Sequence, residues 1–178
     1  MDKGYSTLTV SLHWLLALLV LFQYASIQYL QSLERGDPSL GLGYMLHKSV
    51  GITILTLTLF RVILRVKEGF EPLPVHMAGW EKLLARGTHF GFYALLLLIP
   101  LSGWAFAVTP DRPLAVFGVI PVPDLGIGMR EFWHNMHEWL QWGLLGLFGL
   151  HVLGALKHYF IDRDGVPARM IPFLRRPQ

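Results

Sequence analysis

The histidines are the residues best equipped for chemistry. Four of them fall within residues 134–160, HNMHEWLQWGLLGLFGLHVLGALKHYF, a stretch that otherwise reads as membrane helix. Imidazole is costly inside a bilayer unless it is paired or bound. His137 and His151 are fourteen residues apart. That is nearly four helical turns, so they share one face and stand about 21 Å apart along the axis. His158 follows seven residues later, near the same face. His13 and His47 sit just inside two other apolar segments. A lone histidine near a helix end commonly rests at the interface or hydrogen-bonds a neighbouring helix. Five at depth, two of them at a four-turn spacing, point instead to metal ligation.

The elements that must carry these histidines are apolar helices. VSLHWLLALLVLFQYASIQYL (10–30), GYMLHKSVGITILTLTLF (43–60), FGFYALLLLIPLSGWAFAV (90–108) and residues 139–156 together contain one lysine and no arginine or acidic residue. Each can cross a hydrocarbon core that takes about 20 residues of helix. A soluble bundle would need a polar face on every helix, and these have almost none. The predicted helices run over roughly 8–31, 43–66, from WEKLLAR (80–86) to Val108, and 131–161. Ser6 or Thr7 suits the first N-cap, and Pro100 should bend the third helix or free a carbonyl. The first apolar run outlasts a secretory h-region and is expected to stay as a helix. The 109–128 segment is too rich in proline for a fifth crossing, and its apolar residues are expected to rest on the membrane surface. The chain thus reads as one all-α membrane domain over 1–178, a four-helix bundle.

Composition agrees. Hydrophobic residues make up 53% and charged residues 15%, against about a quarter charged in a soluble domain. The absence of cysteine excludes disulfides, cysteine-held iron–sulfur clusters and covalent haem attachment. The net charge of +3 does not indicate nucleic acid, because the cations flank the helices. Lys3, Arg61, Arg65, Lys67, Lys82, Arg86, Lys157, Arg163, Arg169, Arg175 and Arg176 share the side of the termini; Arg35, Lys48, Arg112 and Arg130 lie opposite. The excess predicts cytoplasmic termini. The tail 167–178 is expected to be a basic interfacial segment on anionic lipid. No Walker loop, GxGxxG, HExxH or internal repeat is present, and the helices lack the buried carboxylates of a cation channel or proton pump.

Depth pairs the histidines. His13 and His151 lie toward the cytoplasmic side, His47 and His137 toward the outer side. Each pair comes from two helices and can clamp a planar macrocycle, which is bis-histidine ligation of a b-type haem. Zinc would need three or four ligands in one tight tetrahedron. By depth alone His158 rivals His151 as the partner of His13. Gly51, one turn past His47, and Gly91, Gly103, Gly143, Gly146, Gly149 and Gly154 would let a porphyrin approach backbone, or serve ordinary helix packing. Arg61 and Arg65 suit haem propionates or simple cytoplasmic flanking, and Lys48 and Arg130 offer the same on the outer side. The tryptophans read as interfacial or packing residues.

YSTLTVSLHW (5–14), LHKSVGITIL (46–55), RVILR (61–65), MHEWL (136–140) and GLHVLGALKHYF (149–160) together resemble the bacterial cytochrome b561 family, four-helix di-haem membrane proteins, over nearly the whole chain. The resemblance implies two non-covalent b haems, one on His13 and His151 and one on His47 and His137, with His158 outside the ligand set. One type within the family is similar to a superoxide oxidase, which passes electrons from superoxide outside to ubiquinone. That likeness implies Lys48, Arg112 and Arg130 as anion-attracting residues and Lys157 and His158 as quinone-site residues. Glu34, Asp37, Asp111, Asp124, Glu131 and Glu138 share the outer side, so composition alone does not make it basic. The rival reading from the same resemblance is a haem-bearing anchor that relays electrons for a separate dehydrogenase or hydrogenase subunit.

Overall fold

A computed structural model describes residues 5–174; Lys3, Arg175 and Arg176, counted above among the flanking cations, lie outside the described residues. Four helices are long and apolar enough to span a membrane. The first, α1, covers Thr7–Ser32 and is capped by Ser6, whose Oγ accepts from the Thr9 N–H at 3.2 Å. The second, α2, covers Ser39–Glu68 and so starts four residues before the expected position 43. The reason lies in the turn. Asp37 accepts from the Ser39 N–H at 2.8 Å and from its hydroxyl at 2.5 Å, and Pro38 at the cap has its φ preset. Those bonds hold the Asp37 carboxyl below the usual carboxylate range.

The third helix, α3, covers Gly79–Ala107. The Glu81 carboxylate accepts from the Ala78 N–H at 2.9 Å, the reciprocal half of a capping box, so WEKLLAR lies inside the helix. The fourth, α4, covers Arg130–Lys157 and then widens into a π-turn over His158–Asp162.

α1 packs on α2, α2 on α3 and α3 on α4. α3 lies close to α4 at Gly91, where an added Cβ would stand 2.6 Å from Leu147 Cδ1. α1 also reaches α4 through side chains; the Tyr24 hydroxyl donates to the Gln141 carbonyl. The distribution of polarity is inverted relative to a soluble bundle. Thr9, Ser49, Thr58 and Ser102 are buried, while Leu18, Ile63, Phe90, Trp139 and Leu153 face outward. Hydrocarbon outside and small or hydroxyl-bearing residues inside are what a membrane solvent selects.

The 109–128 segment departs from expectation. It forms a short antiparallel hairpin, β1 (Leu114–Val116) against β2 (Ile120–Val122). Leu114 is buried, β1 packs on α2, and the Phe117 N–H donates to Ser49 Oγ at 2.9 Å. The hairpin is therefore pinned to the bundle and does not simply lie on lipid. The tail differs too. Residues 167–174 form two 3₁₀ turns folded back on the end that holds the termini. The Trp14 indole donates to the Met170 carbonyl at 2.8 Å, and Arg169 donates to the Pro72 carbonyl at 2.8 Å. This stretch is bonded to the bundle, so it is not free to act only as a lipid-facing strip.

Candidate functional site

At the end holding the termini, the His13 and His151 rings face each other across α1 and α4. Their centroids are 6.1 Å apart and their planes 70° apart. Two metal–imidazole bonds of about 2 Å each, plus the depth of the two rings, require about 6 Å. The separation therefore suits one metal ion between them. His89 adds a third ring, 5.6 Å from His151, and Phe92 a fourth at 5.4 Å. The His89 Nδ1 is 2.7 Å from the Ala85 carbonyl. His89 lies in α3, a different helix from the other histidines, so its spacing from them carries no signal in the sequence.

Arg61 and Arg65 both turn into the bundle and are buried. Arg61 Nη1 donates to the Thr9 carbonyl at 2.6 Å. Arg65 stacks between the Tyr5 and Phe70 rings, 4.3 Å and 4.6 Å from their centroids. Its Nη1 is buried without a hydrogen-bond partner among the described residues. A buried guanidinium N–H left unpaired is costly, and a carboxylate such as a propionate would satisfy it with a charge-assisted bond. Flanking arginines at a membrane surface would remain in water.

At the far end, His47 of α2 and His137 of α4 line a cavity of about 270 Å³. Both rings are oriented through Nδ1. The His47 Nδ1 is 3.2 Å from the Ser26 hydroxyl; the His137 Nδ1 is 2.8 Å from the Ile99 carbonyl and 3.2 Å from the Ser102 hydroxyl. Holding one ring nitrogen on a hydrogen-bond partner leaves the other to ligate, the usual outer-shell arrangement of a metal-bound histidine. Ile99 immediately precedes Pro100, the proline inside α3, so the interruption expected from the sequence lies where α3 grips the ring. Gln23 donates to the His47 carbonyl at 2.9 Å, and its buried Oε1 has no partner among the described residues.

Gly51 and Gly103 line this cavity. A Cβ at Gly103 would stand 3.0 Å from His137 Cε1 and 3.2 Å from its Nδ1, so only glycine lets the ring lie so close to α3. Gly103→Ala should push His137 off the Ile99 carbonyl and lower occupancy of a haem on this side to below about half. Haem per chain, measured by pyridine haemochrome, checks this; an unchanged value contradicts it. Gly146, Gly149 and Gly154 face open space, so they are not closing helix contacts.

Of the predicted outer cations, Lys48 lines the cavity. Arg130 also donates to the Phe106 carbonyl at 3.1 Å. Of the acids on that side, Asp37 is engaged by Ser39, Asp124 accepts from the Gly126 N–H at 2.9 Å, and Glu138 lies 3.6 Å from His134. At the opposite end, Lys157 and His158 are held differently. Lys157 Nζ is 2.6 Å from Asp162 and 3.0 Å from Glu81, and His158 Nδ1 is 2.7 Å from Asp164. The ring that faces His13 is that of His151, while His158 is engaged with carboxylates. Sequence reading missed those carboxylates.

Comparison with known proteins follows the same lines. The model of the prokaryotic cytochrome b561 family matches residues 4–173. Cytochrome b561 homolog 2 of Escherichia coli K12 is 33% identical over 174 residues, which is 95% of this chain and 92% of that protein. Cytochrome b562 of Cereibacter sphaeroides is 35% identical over 183 residues, 96% of each chain. A Yersinia pestis protein named "Probable superoxide oxidase CybB" is 28% identical over 175 residues, 97% of this chain and 98% of its own. The histidines that face one another across an inside-out bundle and the full-length match lead to one conclusion: this chain belongs to the prokaryotic cytochrome b561 family, membrane-embedded, haem-binding electron-transfer bundles.

Proposed function

We propose that the chain is a di-haem cytochrome of the bacterial cytoplasmic membrane that takes electrons from superoxide on the outer side and delivers them to ubiquinone on the cytoplasmic side. The carrying observation is that the histidine pairs lie at opposite ends of the bundle and that each joins two helices, α1 with α4 and α2 with α4. A b-type haem, when bound, would supply reversible one-electron transfer. The chain's own residues do the rest. His13 and His151 hold one group, with Arg61 and Arg65 for its propionates; His47 and His137 hold the other.

Orientation follows from the cation excess, which puts the termini in the cytoplasm and the Lys48 cluster outside. Lys48, Arg112 and Arg130 draw a small anion to the rim of the outer cavity. His158 and Lys157 stand at the cytoplasmic end, where the quinone binds. The balanced reaction is two superoxide anions, one quinone and two protons giving two dioxygen molecules and one quinol.

The superoxide oxidase name of the Yersinia pestis relative supports this reading over a relay for a separate oxidoreductase. Purified protein should show its haems reduced by superoxide and reoxidised by a short-chain ubiquinone with no second protein present. Failure of both steps, rescued only by a dehydrogenase subunit, would reject the reading in favour of the relay. Neutralising the cluster as Lys48→Gln, Arg112→Gln and Arg130→Gln together should slow the superoxide step on the order of tenfold and flatten its salt dependence. Stopped-flow haem reduction at two ionic strengths reads both effects.

A further inference from the structure

Outside the paired histidines, one cluster of side chains has the makings of a ligand set. It gathers where α4 ends. The helix widens to a π-turn over His158–Asp162, and Arg163 and Gly165 then take positive φ values of 52° and 76°. That backbone brings the Asp162 and Asp164 carboxylates together. His76, from the loop between α2 and α3, meets them there. One ligand atom from each of His76, Asp162 and Asp164 lies within 4.8 Å of the other two. The His76 Nε2–Asp164 Oδ2 separation is 3.3 Å. Two ligands of one tetrahedral ion, each bonded at about 2.0 Å, stand about 3.3 Å apart.

Burial and charge set this cluster apart from a group of surface acids. The Asp164 side chain is 7% exposed and that of Asp162 13%. Glu81 of α3 joins them through Lys157, whose ammonium lies 3.0 Å from Glu81 and 2.6 Å from Asp162. Three carboxylates thus share one ammonium, and no other lysine or arginine among the described residues is within ion-pair distance of them. Buried charges are paired or coordinate metals, and a dication would offset the remaining two. The outer shell is also in place. His158 Nδ1 bridges the carboxylates, 2.7 Å from Asp164 Oδ2 and 3.2 Å from Asp162 Oδ2. The Val166 N–H donates to Asp164 Oδ1 at 3.1 Å. An ionised carboxylate has about four acceptor positions, so these bonds orient it and still leave lone pairs for an ion. Ligating carboxylates are commonly held this way.

We infer that His76, Asp162 and Asp164 form a site for a first-row divalent cation such as zinc. Three protein ligands leave a fourth position for water. The imidazole ligand selects zinc and its neighbours over magnesium and calcium, which take oxygen. His76 is 51% exposed, so it stands at the entrance and an ion reaches the carboxylates from solvent. Binding ties the loop to the end of α4. That loop is already docked at two other points: Arg169 donates to the Pro72 carbonyl at 2.8 Å, and the Phe70 ring centroid lies 4.6 Å from the Arg65 guanidinium. The ion is a third clamp on it. The site shares no residue with the two histidine pairs, and it stands whatever the electron donor and acceptor are.

The test uses haem-loaded, tag-free protein in detergent, so that the paired histidines are occupied. Competition with a chromophoric zinc chelator should show about one zinc held per chain, and excess magnesium should not displace it. Losing even an outer-shell partner weakens a metal site about 10–100-fold, so losing a ligand should cost at least about tenfold. His76→Ala and Asp164→Asn should each weaken zinc binding by that much with haem content unchanged. Zinc should raise the Tm of the wild type and not that of His76→Ala. X-ray absorption should show nitrogen and oxygen neighbours at about 2.0 Å. His76 is an exposed loop residue, so its variant decides the matter even if Asp164→Asn fails to fold. Wild-type zinc affinity in His76→Ala would overturn the inference and mark an adventitious ion only. A wild-type protein that retains no zinc against the chelator would overturn it too.

Discussion

His137→Ala should yield a folded protein with about half the wild-type haem, retaining the group held by His13 and His151. The two sites share no ligand, and each histidine of the far-end pair is positioned by partners the other end does not use: Ser26 for His47, Ile99 and Ser102 for His137. The substitution would remove one of the two imidazoles proposed to hold a haem at this end and leave a void where the ring lay against Gly103. Electron entry from superoxide should fall by at least about a hundredfold, because the remaining carrier lies roughly 20 Å of helix deeper. Reduced-minus-oxidised spectra and stopped-flow mixing check both. Full haem content in this variant would reject the pairing of His47 with His137.

His151→Ala should have the opposite phenotype, and the larger effect on the acceptor side. His151 is the ring that faces His13 at 6.1 Å, and His89 lies 5.6 Å from it. Loss of the haem at this end should abolish quinone reduction, while superoxide still reduces the remaining haem once. The proximity of His89 makes the outcome informative. If His89 substituted as a ligand, the haem would persist with an altered low-spin spectrum, and His89→Ala added to His151→Ala would then remove it. The expected result is loss in the single variant, because the ring in contact with His13 is that of His151, while His89 contacts His151.

Much of this arrangement is legible in the sequence because a bilayer imposes few solutions. Four long apolar runs leave only helices, and a fourteen-residue histidine spacing fixes one face whatever the tertiary detail. Ligand depth follows from counting residues into each run. What escaped was set by contacts that cross the sequence or by unusual backbone. The hairpin at 114–122 has three-residue strands, one of them containing Pro121 opposite Ala115, and a proline reads against strand although a two-stranded hairpin, being all edge, tolerates it. The early start of α2 depends on one aspartate two residues ahead of it. The Asp164–His158 contact depends on a π-turn and two positive φ values, which no periodicity reports. Arg61 and Arg65 could be read as flanking or as ligand-binding; their burial and the unpaired Arg65 Nη1 favour the second.

The most direct measurement of the central claim is haem stoichiometry in the purified wild-type protein, paired with low-temperature spectra of its reduced form. Two haems per chain, both low-spin with nitrogenous axial ligands, is the predicted result. One haem per chain, or a high-spin iron with an open axial position, would contradict it.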